Sequence, residues 1–309
     1  MIFYLLRRLG ASLVVLFGIS ILVFLLLHII YPNPGYQVTG PRNAWTSPGS
    51  FLQPWPVQYL RYIDQLLHGN LGYSYTMNQS VAALFGERWP RSVFLTGSAL
   101  LLAILVAVPV GIYQAARRNS ASDQAIGALS FTLYATPPYL FYLLLIQVFA
   151  FAIPIFSFEA SQSTSIWGIM TDWRGMTLPI VGGALLIVAG YSRYMRSQAI
   201  DTLAQDYIKA SRAKGLPERL VLWRHLLRNA CLPMITLIGL SIPALLAGNL
   251  FAEYVFNYPG LGLLFYDALN AEDYPVLLAY TLVGAALTVA GNFIADVTLT
   301  MADPRIKLA

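Results

Sequence analysis

Charged residues divide the chain into eight uncharged stretches of eighteen residues or more. A helix crossing the hydrocarbon core of a bilayer needs about 20 apolar residues. Six stretches have the composition for that: 9–41, 92–116, 124–158, 175–192, 229–252 and 274–295. The other two are too polar. Residues 43–60 carry Pro48, Pro54 and Pro56 among polar side chains, and residues 65–86 hold Gln65, His68, Asn70, Asn78, Gln79 and three glycines. The pattern therefore predicts spans over residues 9–31, 91–115, 125–150, 175–198, 229–252 and 275–301. Pro32, Pro34 and Gly35 end the first span, and Pro90 opens the second, where its missing N–H costs nothing. Pro137 and Pro138 should kink the third. Arg193 and Arg196 should lengthen the short fourth span by reaching towards the cytoplasmic headgroups. In the first external loop, residues 32–90, Val57, Leu60, Ile63, Leu66 and Leu67 recur at helical spacing among Gln58, Tyr59, Arg61, Tyr62, Gln65 and His68. That spacing predicts a short amphipathic helix lying on the membrane.

Composition agrees with the pattern. The 309 residues are 57% hydrophobic and 11% charged, against about 25% charged in soluble domains. A soluble globular protein is excluded, and the expected class is an all-α polytopic membrane protein with six transmembrane helices. The net charge is +5, but its placement is more informative. With the N-terminus in the cytoplasm, residues 1–8, 117–123, 193–228 and 303–309 hold 14 of the 19 Lys and Arg. Only Arg42, Arg61, Arg88, Arg91 and Arg174 lie outside, so the positive-inside rule selects an N-in, C-in orientation. The basic balance thus reflects orientation and does not point to nucleic acid. The first apolar run exceeds the 7 to 15 residues of a signal-peptide core and no small-residue cleavage site closes it, so it is expected to be retained. One cysteine, Cys231, excludes an intrachain disulfide and a cysteine-based metal cluster.

The longest expected cytoplasmic segment, residues 193–228, carries the most distinctive pattern. From Asp201 to Ala213 it lacks Gly and Pro and has Leu203, Tyr207, Ile208 and Ala210 at helical spacing. Gly215 breaks that helix, and Pro217 with Glu218 begins another through Leu220, Val221, Trp223, Leu226 and Leu227. A helix–turn–helix elbow tied at both ends to membrane spans suits a docking element. The cations Lys209, Arg212, Lys214, Arg219, Arg224 and Arg228 equally suit a segment lying on anionic lipid. Composition leaves both open.

The run Asp206-Tyr207-Ile208-Lys209-Ala210-Ser211-Arg212-Ala213-Lys214-Gly215-Leu216, followed by Arg224-His225-Leu226-Leu227-Arg228-Asn229-Ala230 and Leu232-Pro233, resembles the EAA loop of ABC-transporter permeases of the dipeptide/oligopeptide (peptide/nickel) importer family. Tyr4-Leu5-Leu6-Arg7-Arg8-Leu9, Tyr59-Leu60-Arg61-Tyr62 with Gly69-Asn70-Leu71-Gly72, Val255 to Gly262, Asp273-Tyr274-Pro275-Val276 and Asp303-Pro304-Arg305-Ile306 extend the resemblance over nearly the whole chain. Two departures are Lys209 at the acidic first position of the EAA pattern and Tyr31-Pro32-Asn33-Pro34-Gly35 in place of Gly-Asp-Pro after the first span. The resemblance implies a type I importer fold in a bacterial or archaeal cell membrane. It also implies a homologous second permease subunit, two cytoplasmic ATPase subunits, an extracytoplasmic substrate-binding protein and a peptide substrate. A nickel chelate or a glutathione-like solute is the alternative cargo. It makes Asp206, Tyr207, Lys209, Ala210, Ser211, Arg212, Ala213, Lys214, Gly215, Leu216 and Pro217 the ATPase-coupling residues. ATP and Mg belong on the partner subunits, with no cofactor or metal on this chain. The residues agree: a phosphate-binding Walker loop needs Gly-Lys-Ser/Thr, and no Gly-Lys pair occurs.

Polar groups in the expected spans, Gln147, Thr236, Ser241, Asn249, Thr288 and Asn292, are candidates for the translocation path, with interhelical hydrogen bonding as the plainer role. Glu253, Asn257, Tyr258, Pro259 and Gly260 are candidates for an outer gate or a binding-protein contact. Asp296 is the one acidic residue within an expected span, where a structural role outweighs proton coupling, and His28 reads as a structural histidine. A secondary transporter would show several mid-span ionisable groups, and a channel would leave the elbow unexplained.

Overall fold

The computed structural model of the protein describes residues 2–30, 54–74, 76–241 and 248–302. Helix α1 spans Ile2–Ile30, α2 Trp55–Leu67, α3 Val81–Ala116, α4 Ala121–Ala135 and α5 Pro138–Ile146, which continues as a π-helical turn over Gln147–Ala152. Then come α6 Ile166–Thr171, α7 Trp173–Leu203, α8 Asp206–Ala213 and α9 Glu218–Leu220. A π-helical segment, Val221–Leu226, joins α9 to α10 Leu227–Ala230, followed by α11 Leu232–Leu240, α12 Leu250–Val255, α13 Leu261–Asn270 and α14 Tyr274–Ala302. Two short antiparallel strands, β1 Tyr73–Ser74 and β2 Gln79–Ser80, pair Tyr73 with Ser80 ahead of α3. Ser74 and Thr76 both donate to Oδ2 of Asp273, which fastens this hairpin to the start of α14.

Among the described residues three helices are long and apolar enough to cross a membrane: α3, α7 and the Tyr274–Ile294 part of α14. The pair formed by α4 and the Pro138–Ala152 helix makes a fourth if counted as one span, bent by 105°. Thr136 adopts an extended backbone before Pro137, and Pro137 is itself non-helical, so the chain turns a corner here where a kink was expected. The shorter apolar helix Gly10–Leu26 belongs to α1. Residues 242–247, within the expected fifth span, lie outside the described residues, as do 31–53 and 303–309. The described flanks of that span are separate helices, α10, α11 and α12. The side chains of His28 and Asp296 also lie outside the described residues.

Several boundaries depart from the sequence expectation for local reasons. Helix α3 starts at Val81, so Pro90 lies inside it with Pro109. Ser80 caps this end, its Oγ accepting from Ala83 N–H at 3.3 Å. Val81, Leu84 and Phe85 are then buried with Leu261 and Leu264 of α13 and Val276 of α14. The helix thus begins ahead of the expected span, where protein covers one side of it. Helix α7 begins on Asp172, which accepts from Gly175 N–H at 3.0 Å, and runs past residue 198 to Leu203. Its Arg196 does not reach for headgroups. Both prongs of the guanidinium donate to Asp123 at 2.7 Å, a two-pronged pairing that fixes geometry as well as charge.

Helix α2 forms where the spacing predicts, but its buried face is Gln58, Tyr59 and Tyr62. Tyr59 and Tyr62 pack with Phe24 of α1 and Tyr274, Leu278 and Leu282 of α14, while Leu60 and Leu67 are 66% and 80% exposed. Aromatic rings with polar tips bury large areas when the tip finds a partner; Tyr59 Oη lies 2.7 Å from Ser20 Oγ.

The tightest helix contact joins α3 and α7. A Cβ built on Gly111 would lie 2.6 Å from Met195 Cβ and 2.8 Å from the Ser192 carbonyl oxygen, so only glycine lets these backbones approach.

Candidate functional site

The elbow is built on α8 and on the helical run from Glu218 to Ala230. Helix α7 ends at Leu203 and α8 begins afresh at Asp206, so the expected continuous helix from Asp201 is broken at Ala204 and Gln205. At the other end of α8, Gly215 N–H donates to Arg212 O at 2.9 Å and Leu216 N–H to Ser211 O at 3.4 Å, the paired bonds of a Schellman cap. Gly215 has φ +76°, a left-handed conformation that a side chain disfavours. Pro217 then fixes the extended entry into α9.

One side of the elbow is fastened to the helix bundle. Ile208, Val221, Leu226 and Ala230 are buried against Ile112 and Ala115 of α3, Met195 and Ala199 of α7 and Met234 of α11. Ser211 is also buried and its Oγ donates to the Tyr207 carbonyl at 2.8 Å. The opposite side is open: Asp206, Tyr207, Lys209, Ala210, Arg212, Ala213, Lys214, Gly215 and Pro217 are exposed and Leu216 is half-buried. Arg212 closes the turn by donating through Nε and Nη2 to the two oxygens of Glu218 at 3.1 and 2.6 Å. Lys209, which replaces the acidic residue of the EAA pattern, pairs with Asp206 at 2.9 Å and holds that carboxyl below its usual range. The cations left without a carboxylate partner among the described residues include Lys214, Arg219, Arg224 and Arg228. Packing thus ties this turn to α3, α7 and α11 together.

A second constellation lies at the far end of α3. The Glu253 side chain is 0% exposed and both its oxygens are fully used. Oε1 accepts from Ser92 Oγ at 2.7 Å and Asn249 N–H at 3.2 Å, and Oε2 from Gly262 N–H at 2.6 Å and Leu263 N–H at 3.1 Å. Ser92 Oγ in turn accepts from Leu261 N–H at 2.7 Å, so one carboxylate joins α3, α12 and the start of α13. Tyr258 is buried as well and donates to the Arg91 carbonyl at 3.0 Å. The burial of Glu253 and Tyr258 removes them as surface contacts for a binding protein, because neither presents an atom to a partner. Pro259 and Gly260 are buried with them. Asn257 alone of the five is exposed; its carbonyl accepts from Gln162 Nε2 at 2.7 Å and its amide donates to Glu159.

The six path candidates are not gathered into one site. Ser241 touches Tyr191 Oη and donates to Leu237 O at 3.0 Å, and Thr236 sits half-buried on the same helix, α11. Asn249 caps α12 and donates to Tyr142 Oη at 3.1 Å. Thr288 is exposed and bonds back to Gly284 O at 2.8 Å. Gln147 is exposed and Asn292 half-buried. The polar groups that do converge are on other residues: Gln114, Asp123, Arg193 and Arg196 line a cavity of about 830 Å³ between α3, α4, α7 and α11. Asp123 gave a sequence signal, being the one acidic residue in the short turn after Arg117 and Arg118.

Residues 107–308 match the family of binding-protein-dependent transport system inner membrane components, and the chain belongs to that family. It is an inner-membrane component of such a system. Over 98% of its length it is 35% identical to the oligopeptide transport system permease protein AppB of Bacillus subtilis, of which 99% is covered. The dipeptide transport system permease protein DppB of Escherichia coli is 32% identical over 99% of both chains, and the glutathione transport system permease protein GsiC of Salmonella paratyphi A is 31% identical over 99% of both.

Proposed function

We propose that this chain is one of two homologous permease subunits of a type I ATP-driven importer for di- or oligopeptides. It has six spans and both termini in the cytoplasm, and an extracytoplasmic binding protein delivers the peptide. The similarity to oligopeptide and dipeptide permeases over nearly the full length supports the cargo class. Two cytoplasmic ATPases hold the ATP and Mg. The observation that carries the coupling role is the elbow's division into a face packed on α3, α7 and α11 and an exposed tip closed at Gly215. The tip seats on an ATPase, and closure of the ATPase pair turns the attached helices and switches access from one side of the membrane to the other. The Glu253 constellation holds α12 and α13 to α3 and so sets the outer end of the passage.

Reconstitution tests this reading. Proteoliposomes containing this chain, its second permease and both ATPases should take up a labelled tripeptide only when ATP and the binding protein are supplied. Uptake that persists without the ATPases and follows an ion gradient would instead indicate a secondary transporter.

A further inference from the structure

The second arm of the elbow, from Glu218 to Ala230, carries a surface that the coupling role leaves unused. Its middle, Val221–Leu226, is π-helical, with Leu227 N–H donating to Leu222 O across five residues. That wider turn decides which side chains are covered. Val221, Leu226 and Ala230 are all buried, the first two of them five positions apart. In an unbroken α-helix, residues three, four and seven positions after Val221 would share its face. Those are Arg224, His225 and Arg228, and they would be driven into the bundle. The π-helical turn brings Leu226 onto the covered face in their place. Arg219, Trp223, Arg224 and Arg228 are exposed as a result, the indole of Trp223 by 47%. Among the described residues no carboxylate pairs with these three arginines, because Glu218 is taken by Arg212 and Asp206 by Lys209.

The level of this stripe is set by what it is attached to. The arm's buried anchors share a cluster with Ile112 and Ala115, at the end of the membrane-crossing helix α3 just before Arg117 and Arg118. Four residues after Arg228 the chain enters the apolar helix α11 at Leu232. Both attachments put the stripe where the helix bundle leaves the membrane, apart from the tip at Gly215. At that level guanidinium groups meet lipid phosphates, and an indole ring favours the same interfacial zone. We infer that Arg219, Trp223, Arg224 and Arg228 form a binding surface for the headgroups of anionic lipid in the cytoplasmic leaflet. The elbow then has two arms with different partners, α8 and its turn for the ATPase and the arm from Glu218 for the membrane. This rests on the cytoplasmic placement of the elbow proposed above and adds to it the surface on which the elbow is braced.

The test is quenching of Trp223 fluorescence by brominated lipid in vesicles that contain the complete transporter. The vesicles hold equal parts of phosphatidylcholine and phosphatidylglycerol, with bromine on the acyl chains of one lipid or of the other. The chain has six tryptophans, so the Trp223 signal is taken as the difference between wild type and Trp223→Phe. That signal should report at least about a 5-fold preference for phosphatidylglycerol, the size expected from the attraction of one arginine to an anionic surface. Arg219→Gln, Arg224→Gln and Arg228→Gln combined should bring the preference to near one while quenching persists, and the same three positions changed to Lys should keep most of it. A Trp223 signal that neither brominated lipid quenches overturns the proposal, as does a preference that survives the three Gln substitutions. So does quenching that emerges only once the ATPases are stripped away, which would assign the stripe to them. If Trp223 is unquenched while a thiol placed at position 213 still joins an ATPase subunit, only the lipid surface fails. If neither result is obtained, the cytoplasmic placement of the elbow fails with it.

Discussion

Gly215→Val should lower ATP-driven uptake at least about 10-fold while the transporter still assembles and its ATPases still turn over. Gly215 sits at φ +76° with open space around the position where a Cβ would stand, so the substitution acts through the backbone and not through a clash. A left-handed conformation costs an L-residue about 1–2 kcal/mol, and β-branched residues tolerate it least. The turn therefore relaxes, loses its two capping bonds and moves the exposed residues Lys209, Ala210, Arg212, Ala213 and Lys214 off their positions. The buried anchors Ile208 and Leu226 stay in place, so insertion and assembly are spared. Gly215→Asn should retain most uptake, because asparagine adopts this conformation more readily. Uptake and ATP hydrolysis measured on the same proteoliposomes decide the matter; Gly215→Val transporting at the wild-type rate would show that the turn geometry is not what couples them.

Glu253→Ala should have the largest effect on stability. Its carboxylate receives four donors in a site with no exposure, and truncation leaves Asn249, Gly262, Leu263 and Ser92 without their acceptor. Each buried unsatisfied group costs about 1–3 kcal/mol before relaxation or water entry recovers part of it. A net loss of roughly 3 kcal/mol corresponds to a fall of about 5 °C or more in the unfolding midpoint of the detergent-purified protein. Glu253→Gln should fall less, because one acceptor oxygen remains. A midpoint within a degree of wild type for Glu253→Ala would mean that this constellation does not hold α12 and α13 to α3.

The sequence shows the long helices well because lipid and protein both reward unbroken apolar runs. Hence α7 and α14 lie where hydropathy places spans, and the Gly215–Pro217 punctuation marks the elbow turn. Apolar runs say little about where a helix starts under cover of protein. The first ten residues of α3, which include Glu87 and Arg88, fall outside every expected span, yet Val81, Leu84 and Phe85 form a buried stripe. Hydropathy also treats tyrosine as a surface residue, so it misses that Tyr59 and Tyr62 form the buried centre of α2, with Ile63 and Leu66 packed beside them. Polar groups within spans suggest path candidates, whereas Asn249 donates across to Tyr142 and Thr288 bonds back to its own helix. Conversely, Glu253 looks like a loop residue available to a partner, and only the fold reveals the four donors that enclose it. The pairing of Asp123 with Arg196, 73 positions apart, has no local signature at all.

The most direct test of the central claim is contact between the elbow tip and an ATPase. In a Cys231→Ser background, Ala213→Cys places a reactive thiol on the exposed side of α8, and Leu67→Cys places one on the exposed side of α2, which the proposed orientation puts outside the cell. In the intact transporter a short bifunctional thiol reagent should join position 213 to an ATPase subunit, with ATP changing the yield, and should never join position 67. An ATPase adduct at position 67, or an intact complex in which position 213 forms none, would contradict the account.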